Sequence, residues 1–135
     1  MLTVKASVKP SSIQGIGLFA DEDILKGTVI WKFDPRFDLY FDPKEVEQMP
    51  SEQRELLLRY AYLSTTSGKY VYSIDDSRFT NNSSKHHNVD EVALPADLET
   101  SSIANRDIRA GEELLDNYRA YDAHDANGTD AYLDR

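Results

Sequence analysis

Two segments of this sequence carry residues whose types and spacing could support binding or catalysis. The first, from Arg78 to Val89, reads RFTNNSSKHHNV and holds three asparagines and two adjacent histidines but no acidic residue. Histidines are common ligands of transition metals, so a metal site is one interpretation. Adjacent residues of an extended chain point to opposite faces, however, and one ion rarely binds both. We therefore expect no metal site here and interpret His86 and His87 as part of a solvated loop.

The second segment, Gly15-Ile16-Gly17, could bring a polar ligand close to the main chain. Glycine permits this approach because it has no Cβ. A dinucleotide site would need a third glycine and a following amphipathic helix, and the sequence has neither. Asp125 to Gly128 is similar to part of a calcium loop, but the first ligand position would be Ala123, which cannot coordinate an ion.

Composition and charge narrow the classes of function. The chain has 135 residues, of which 40% are hydrophobic, so we expect one globular domain. It contains no cysteine, which excludes disulfides, zinc-thiolate centres and thiol nucleophiles. The net charge of −9 argues against nucleic-acid binding, which needs lysine and arginine at phosphates. That charge either aids solubility alone or attracts a basic partner. The start of the chain lacks a signal or membrane segment, so we expect an intracellular protein without membrane contact.

The elements that would position these residues are mostly strands. Alternation and β-propensity predict strands over residues 4–8, 28–33, 69–74 and 102–108. Asp42 and Pro43 are typical of a helix start, and a second helix follows Pro50. In that second helix Leu56, Tyr60 and Leu63 are predicted to share a face. Residues 123–135 are rich in aspartate and are predicted to form an acidic, flexible tail.

Three ordered motifs together resemble the SET domain, the family of protein-lysine methyltransferases that use S-adenosyl-L-methionine (AdoMet). They are Gly-x-Gly-Leu-Phe-Ala from Gly15, Arg-Phe-x-Asn-x-Ser from Arg78, and Ala-x-Arg-Asp-Ile-x-Ala-Gly-Glu-Glu-Leu-x-x-x-Tyr from Ala104. The resemblance covers residues 4–122, nearly the whole chain. It implies a mostly-β fold, a β-clip of small curved sheets with a C-terminal pseudo-knot. In that pseudo-knot a strand from Arg78 to Ser83 would lie beside the strand of the third motif. The domain would span residues 1–122, and a helical insert at about 42–64 would shape the substrate side.

The resemblance also implies the cofactor-binding residues. The backbone of Gly15, Ile16 and Gly17 would hold the methionyl part of AdoMet, whose product is S-adenosyl-L-homocysteine. Asn81 would bond the amino-acid end of the cofactor. Asn82 stands where the family usually has histidine and would offer its main chain to adenine. Tyr118 would lie against the cofactor as well.

Tyr118 matches the catalytic tyrosine of the family. Tyr70, Tyr72 and Tyr121 are candidates for the walls of the substrate lysine channel, since aromatic rings suit the apolar lysine stem. Asp116 stands where the family often has Phe or Tyr. Its carboxylate could hold the substrate ammonium, or it could point to water.

The predicted function is therefore methylation of lysine on a basic protein. The alternative is a SET-like module that binds a basic protein without turnover, which Asp116 and Asn82 favour. The cysteine-rich zinc segment that completes the channel in many members is absent. The tail, or a second copy of the chain in a homodimer, would close the channel instead.

Overall fold

The computed structural model describes residues 1–134. Ten short strands carry most of the regular structure: β1 (Ala6–Pro10), β2 (Ile16–Ala20), β3 (Val29–Trp31), β4 (Asp38–Phe41), β5 (Tyr62–Leu63), β6 (Tyr70–Ser73), β7 (Asn81–Asn82), β8 (Val89–Val92), β9 (Ser101–Ala104) and β10 (Leu115–Asp116). Two helices, α1 (Pro43–Gln48) and α2 (Ser51–Tyr60), lie between β4 and β5. The mostly-β fold with a short helical insert is confirmed.

The strands form four small sheets in the described chain. β1 pairs with β2, β9 lies between β3 and β8, and β6 lies between β4 and β5. The fourth sheet joins β7 and β10 in parallel, with Asn81 opposite Leu115 and Asn82 opposite Asp116. The expected neighbourhood of the second and third motifs is thereby confirmed, and the threaded pseudo-knot stays a prediction. This pairing is decisive for the site, because it brings residues far apart in sequence onto adjacent strands.

The helical insert ends earlier than predicted. Asp42 caps α1 by accepting a bond from the Lys44 amide, as the sequence indicates. In α2 the buried residue is Leu57, whereas Leu56 is 51% exposed. Leu63 belongs to β5, because the chain becomes extended at Ala61 and pairs with β6. The predicted face shared by Leu56 and Leu63 is therefore wrong: a tertiary strand pairing ends the helix.

The segment Arg78 to Ser83 is also less regular than the predicted strand. Residues Asp76–Phe79 form a 3-10 turn, capped by the side chain of Asp75, and only Asn81 and Asn82 are in a strand. The turn places Arg78 over the rings of Tyr60 and Phe79, with its guanidinium carbon 5.2 Å and 4.9 Å from their centroids. It therefore connects the helical insert to β7.

Two apolar clusters support the site from either side. The larger one joins buried side chains of the β1–β2 and β3–β9–β8 sheets to the last motif, including Leu18, Ile108 and Leu114. The smaller one joins α1, α2 and β6 through Val46, Leu57 and Tyr70. Their burial is the main stabilising contribution to the fold.

Residues 123–134 pack against the domain, which the sequence analysis did not anticipate. Leu133 is fully buried in a 3-10 turn, Ala131–Asp134. The Arg119 guanidinium donates to the carbonyl oxygens of Leu133 and Gly128 and pairs with Asp134. Tyr132 donates its hydroxyl to Asp125, which is itself buried. The described part of this segment is thus held by one apolar contact and several polar ones.

Within residues 1–134, no helix is long and apolar enough to cross a membrane.

Candidate functional site

The segment Gly15 to Gly17 bends sharply and leaves room for close neighbours. Gly15 has φ of +50°, a conformation that favours glycine. A Cβ on Gly17 would lie 2.0 Å from Glu113 Oε1 and 3.0 Å from Asn81 Nδ2. The first glycine is needed for conformation and the second for space.

Asn81 and Glu113 meet at this glycine segment. The Asn81 amide donates to the carbonyl oxygen of Ile16 at 3.0 Å and to Glu113 Oε1 at 2.9 Å. Glu113 Oε2 accepts from the Ser11 hydroxyl at 2.9 Å. The structure therefore brings Gly15, Ile16, Gly17 and Asn81 together, as expected, and adds a carboxylate that sequence reasoning missed. The sequence feature that could have identified Glu113 is its position in the third motif, next to Glu112.

Asn82 connects three parts of the chain through its side chain. Its Oδ1 accepts from the Tyr118 main-chain amide at 2.9 Å. Its Nδ2 donates to the carbonyl oxygens of Tyr132 at 3.2 Å and Leu133 at 3.3 Å. Asn82 is buried, so these bonds satisfy an amide that would otherwise be costly to desolvate. The residue that departs from the family pattern thus joins Tyr118 to the C-terminal segment.

A half-open cavity of about 360 Å³ lies beside Tyr118. Five tyrosine side chains line it with Tyr118: Tyr60, Tyr62, Tyr70, Tyr121 and Tyr132. Tyr118 donates its hydroxyl to the Thr80 carbonyl oxygen at 2.5 Å. Because Thr80 also lines the cavity and precedes Asn81, the cavity adjoins the glycine segment. An aromatic wall of this kind suits an elongated apolar stem with a polar end.

The predicted channel residues separate into two groups. Tyr70, Asp116 and Tyr121 line the cavity, and Tyr121 packs edge-on against Tyr62 at 4.8 Å between centroids. Tyr72 is not among the residues that line it; its ring packs edge-on against Tyr60 instead. Val71 and Ser73 line the cavity and alternate with Tyr72 along β6, so Tyr72 lies on the opposite face of the strand.

Asp116 and Glu91 are two of the four carboxylates that line the cavity. Asp116 accepts from the Tyr121 hydroxyl at 3.3 Å, and burial together with the nearby Glu91 raises the pKa of Asp116 well above its usual range. Burial also raises the pKa of Glu91, against the lowering effect of bonds from the Ser102 and Thr100 hydroxyls. Asp116 is half-buried and lines the cavity beside Tyr121, and both interpretations of its role stay predictions.

Burial raises the pKa of Tyr118, and the adjacent Asp116 raises it further. The same two causes raise the pKa of Tyr121. Both hydroxyls consequently stay protonated at neutral pH, where they act as hydrogen-bond donors and orienting groups. Neither can serve as a general base from a phenolate state.

His124 lines the cavity, whereas His86 and His87 do not. His87 approaches the Asp90 carboxylate at 3.3 Å, a neighbour that the sequence analysis did not consider. His124 bonds the Tyr70 hydroxyl at 2.9 Å and lines the cavity. Within residues 1–134, no group of three or more His, Asp or Glu side chains is arranged to hold a metal ion.

Sequence reasoning missed much of the cavity wall. Tyr60 and Tyr62 lie at the end of the helical insert, Tyr132 and His124 in the C-terminal segment, and Glu91 on β8. The only sequence signal for them is the high number of tyrosines, eight in 135 residues. Their convergence depends on strand pairings that no local pattern predicts.

The SET domain family model matches residues 15–119 of this chain. The match begins at the glycine segment and includes Tyr118, so all three motifs lie within it, whereas Tyr121, His124 and Tyr132 of the cavity wall lie beyond its end. No curated protein sequence is similar enough to match the chain.

Solved structures with this fold are numerous. A candidate histone methyltransferase of Plasmodium falciparum superposes with a TM-score of 0.55 at 20% identity, covering 84% of this chain and 92% of its own. A humanized mutant of the Chaetomium thermophilum Polycomb Repressive Complex 2 bound to the inhibitor GSK126 gives 0.62 at 24% identity over 87% of this chain. The same complex with H3K27me3 and H3K27M gives 0.59 at 20% identity over 85%. This chain matches only 15% and 14% of those two longer chains.

Proposed function

The chain belongs to the SET-domain family, and from that premise we propose that it is an AdoMet-dependent lysine N-methyltransferase acting on a basic protein. One observation carries the proposal. The parallel pairing of β7 with β10 joins Asn81, at the glycine segment, to Tyr118, at the tyrosine-lined cavity. A cofactor site and an acceptor site thus share one wall.

The residues around Gly17 fit the amino-acid end of AdoMet. Gly17 lets Asn81 and Glu113 approach its main chain closely. Asn81 supplies an amide there, and Glu113 supplies a carboxylate suited to an ammonium group. Asn82 would contact adenine through its main chain, while its side chain bonds Tyr118 and the C-terminal segment. When bound, AdoMet supplies a methyl group carried on a sulfonium centre.

The cavity residues would prepare the lysine amine. A free lysine has a pKa of about 10.4, so removing its proton at neutral pH costs about 4 kcal/mol. Tyrosine walls lower that cost, because desolvation disfavours the ammonium form. Tyr118, held by the Thr80 carbonyl, would orient the amine, and orientation is the main contribution expected of it.

Charge supports a basic substrate. The chain carries a net charge of −9, and Asp122 and Asp125 line the cavity with Asp116 and Glu91. Acidic residues at an entrance attract lysine-rich segments and raise their local concentration. The solved Polycomb complex with H3K27me3 and H3K27M named above is consistent with this substrate class.

The test is transfer of labelled methyl groups from AdoMet to histones and other lysine-rich proteins. We expect the wild-type chain to label lysine and Tyr118→Phe to lose most of the rate, about 100-fold or more. Tyr72→Phe is the matched control, since that tyrosine does not line the cavity. Equal labelling by wild type and Tyr118→Phe would contradict the proposal.

A second candidate function is a binding module without turnover. The observation that favours it is Asp116, a carboxylate at the cavity wall close to the position of the acceptor amine. Calorimetry separates the two functions. A chain that binds a lysine-rich peptide but shows no heat with AdoMet or S-adenosyl-L-homocysteine is the module and not the enzyme.

A further inference from the structure

Asp116 and Glu91 are carboxylates without a cationic partner among residues 1–134. The ion pairs of the described chain include neither residue. Their partners are neutral hydroxyls: that of Tyr121 for Asp116, and those of Ser102 and Thr100 for Glu91. Carboxylates withdrawn from water normally acquire a positive partner, because the desolvation cost is otherwise not offset.

The other charged groups at the cavity do not fill this role. Arg78 lies over the rings of Tyr60 and Phe79, and its Nη1 is 3.5 Å from the Tyr72 hydroxyl. Arg59 lines the wall without an ion pair to either carboxylate, and His124 bonds Tyr70. Asp122 and Asp125 add further negative charge. The cavity therefore has an excess of anionic groups and space for a small cation.

Glu91 and Asp116 reach the cavity from different elements. Glu91 lies on β8 opposite Ser102 of β9, which in turn pairs with Trp31 of β3, so these three side chains form one row. Asp116 lies on β10 and lines the same cavity, and the charge of the nearby Glu91 raises its pKa. A cation between them would contact carboxylates from two sheets.

We propose that Asp116 and Glu91 form an anionic receptor that binds the acceptor side chain as its primary ammonium ion. The inference rests on the proposed function, of which it specifies the substrate state. A primary ammonium has three N–H donors for the carboxylates and the Tyr121 hydroxyl oxygen. Each methyl group removes one donor and adds bulk, so the receptor prefers unmodified lysine and disfavours the trimethylated form.

The receptor also supplies a local proton acceptor. The amine must lose one proton before it can act as a nucleophile. In the proposed site one N–H bond of the ammonium breaks and one O–H bond forms on a carboxylate, which leaves a neutral amine beside a neutral acid. The raised pKa of Asp116 favours that transfer over transfer to an ordinary carboxylate.

The tyrosines offer a competing arrangement. Rings around a cavity can bind a quaternary ammonium through their faces, and such a cage prefers trimethyllysine. The two arrangements predict opposite orders of affinity. The carboxylate receptor prefers n-pentylammonium over n-pentyltrimethylammonium, and an aromatic cage prefers the reverse.

The experiment titrates these two probes into the full chain without AdoMet and follows the tyrosine ring signals by NMR. We expect saturable binding of n-pentylammonium and weaker binding of the trimethyl probe. Asp116→Asn and Glu91→Gln should each weaken n-pentylammonium binding about tenfold or more. Glu99→Gln is the matched control, because Glu99 is a buried carboxylate with two hydroxyl donors, Tyr40 and Ser64, outside the cavity wall.

Three results would overturn the receptor: no amine binding by the wild-type chain, unchanged amine affinity in both cavity variants, or tighter binding of the trimethyl probe. If one variant fails to fold, the other variant and the comparison of the two probes on the wild-type chain still test the receptor. The outcomes are separable from the transfer assay. If the chain binds amines through Asp116 but transfers no methyl group, the receptor is supported and the proposed enzymatic function is contradicted.

Discussion

Single residues decide how closely the parts of the site approach one another. Gly17 is the clearest case, since Glu113 and Asn81 occupy the volume into which any larger side chain would extend. Asn82 is another, because one amide side chain bonds Tyr118 and the C-terminal segment together. A larger residue at position 17 would therefore displace Glu113 and Asn81, and a residue without an amide at position 82 would lose the bonds to Tyr118 and the C-terminal segment.

Gly17→Ala should impair cofactor binding more than it impairs folding. The new methyl group would displace the Glu113 side chain and break its bond with Asn81. We expect a loss of about 1–3 kcal/mol in stability from overpacking and a larger proportional loss of affinity for S-adenosyl-L-homocysteine. Denaturation and calorimetry measure the two effects. Gly68→Ala, strained by a φ of +70° but with open space around it, is the control and should retain affinity.

The raised pKa of Asp116 gives a second prediction at this scale. A carboxyl whose pKa is raised by folding contributes stability below its ordinary pKa, and that contribution is lost as the pH rises through the raised value. Asp116→Asn removes the loss, so the variant should gain stability relative to wild type as the pH rises above the ordinary carboxyl pKa of about 4. Thermal unfolding at several pH values measures the difference in Tm.

Glu112→Gln should change stability with pH in the opposite direction to Asp116→Asn. Bonds from Arg106 and from the Arg109 amide lower the pKa of Glu112, so its contribution is present above the ordinary value and lost as the pH falls. This variant should therefore lose stability relative to wild type as the pH rises toward the ordinary pKa of 4.5, and the difference should stay constant above that pH. Parallel pH trends in the two variants would contradict the assignment of Asp116.

At the scale of elements, the parallel pair β7–β10 and the segment after it build the site together. Local sequence predicts the strands only roughly, and the pairing brings Asn81 and Asp116 onto adjacent strands. The C-terminal segment then adds Tyr132 and His124 to the cavity wall. The C-terminal segment thus forms part of the cavity wall, and the buried side chain of Leu133 anchors it.

Leu133→Ala tests that anchor. Removing a fully buried leucine side chain typically costs about 2–5 kcal/mol. If the segment unfolds locally, the measured cost will appear mainly as faster amide hydrogen exchange in residues 123–134, with little change in the β1–β2 sheet. Leu25→Ala, at a 69% exposed position, is the control. Unchanged exchange in residues 123–134 of Leu133→Ala would mean that the polar contacts alone hold the segment.

At the scale of the whole molecule, charge is the dominant property. A net charge of −9, with four acidic residues at the cavity, gives an electrostatic field that attracts cations before any contact forms. Such attraction acts over about 10 Å at 0.1 M salt and is screened at higher concentrations.

The methylation of a lysine-rich peptide should therefore depend on salt. Between about 0.05 M and about 0.5 M salt, we expect KM for the peptide to rise while kcat stays nearly constant, because screening weakens encounter and not the enclosed site. Steady-state kinetics at several salt concentrations measures this. A peptide with few charges is the control and should show a flat KM; a fall in kcat alone would place the salt effect inside the cavity.

The sequence by itself determined the family, the mostly-β class and the positions of Gly17, Asn81 and Tyr118, because these rest on ordered local motifs. It also located the start of the helical insert, since Asp42 and Pro43 are a local capping signal. Tertiary structure alone decided that α2 ends at Tyr60, that Tyr72 lies away from the cavity, and that Glu113, Glu91 and Tyr132 belong to the site. The physical reason is that strand pairing and side-chain burial depend on partners distant in sequence, and a local pattern carries no record of them.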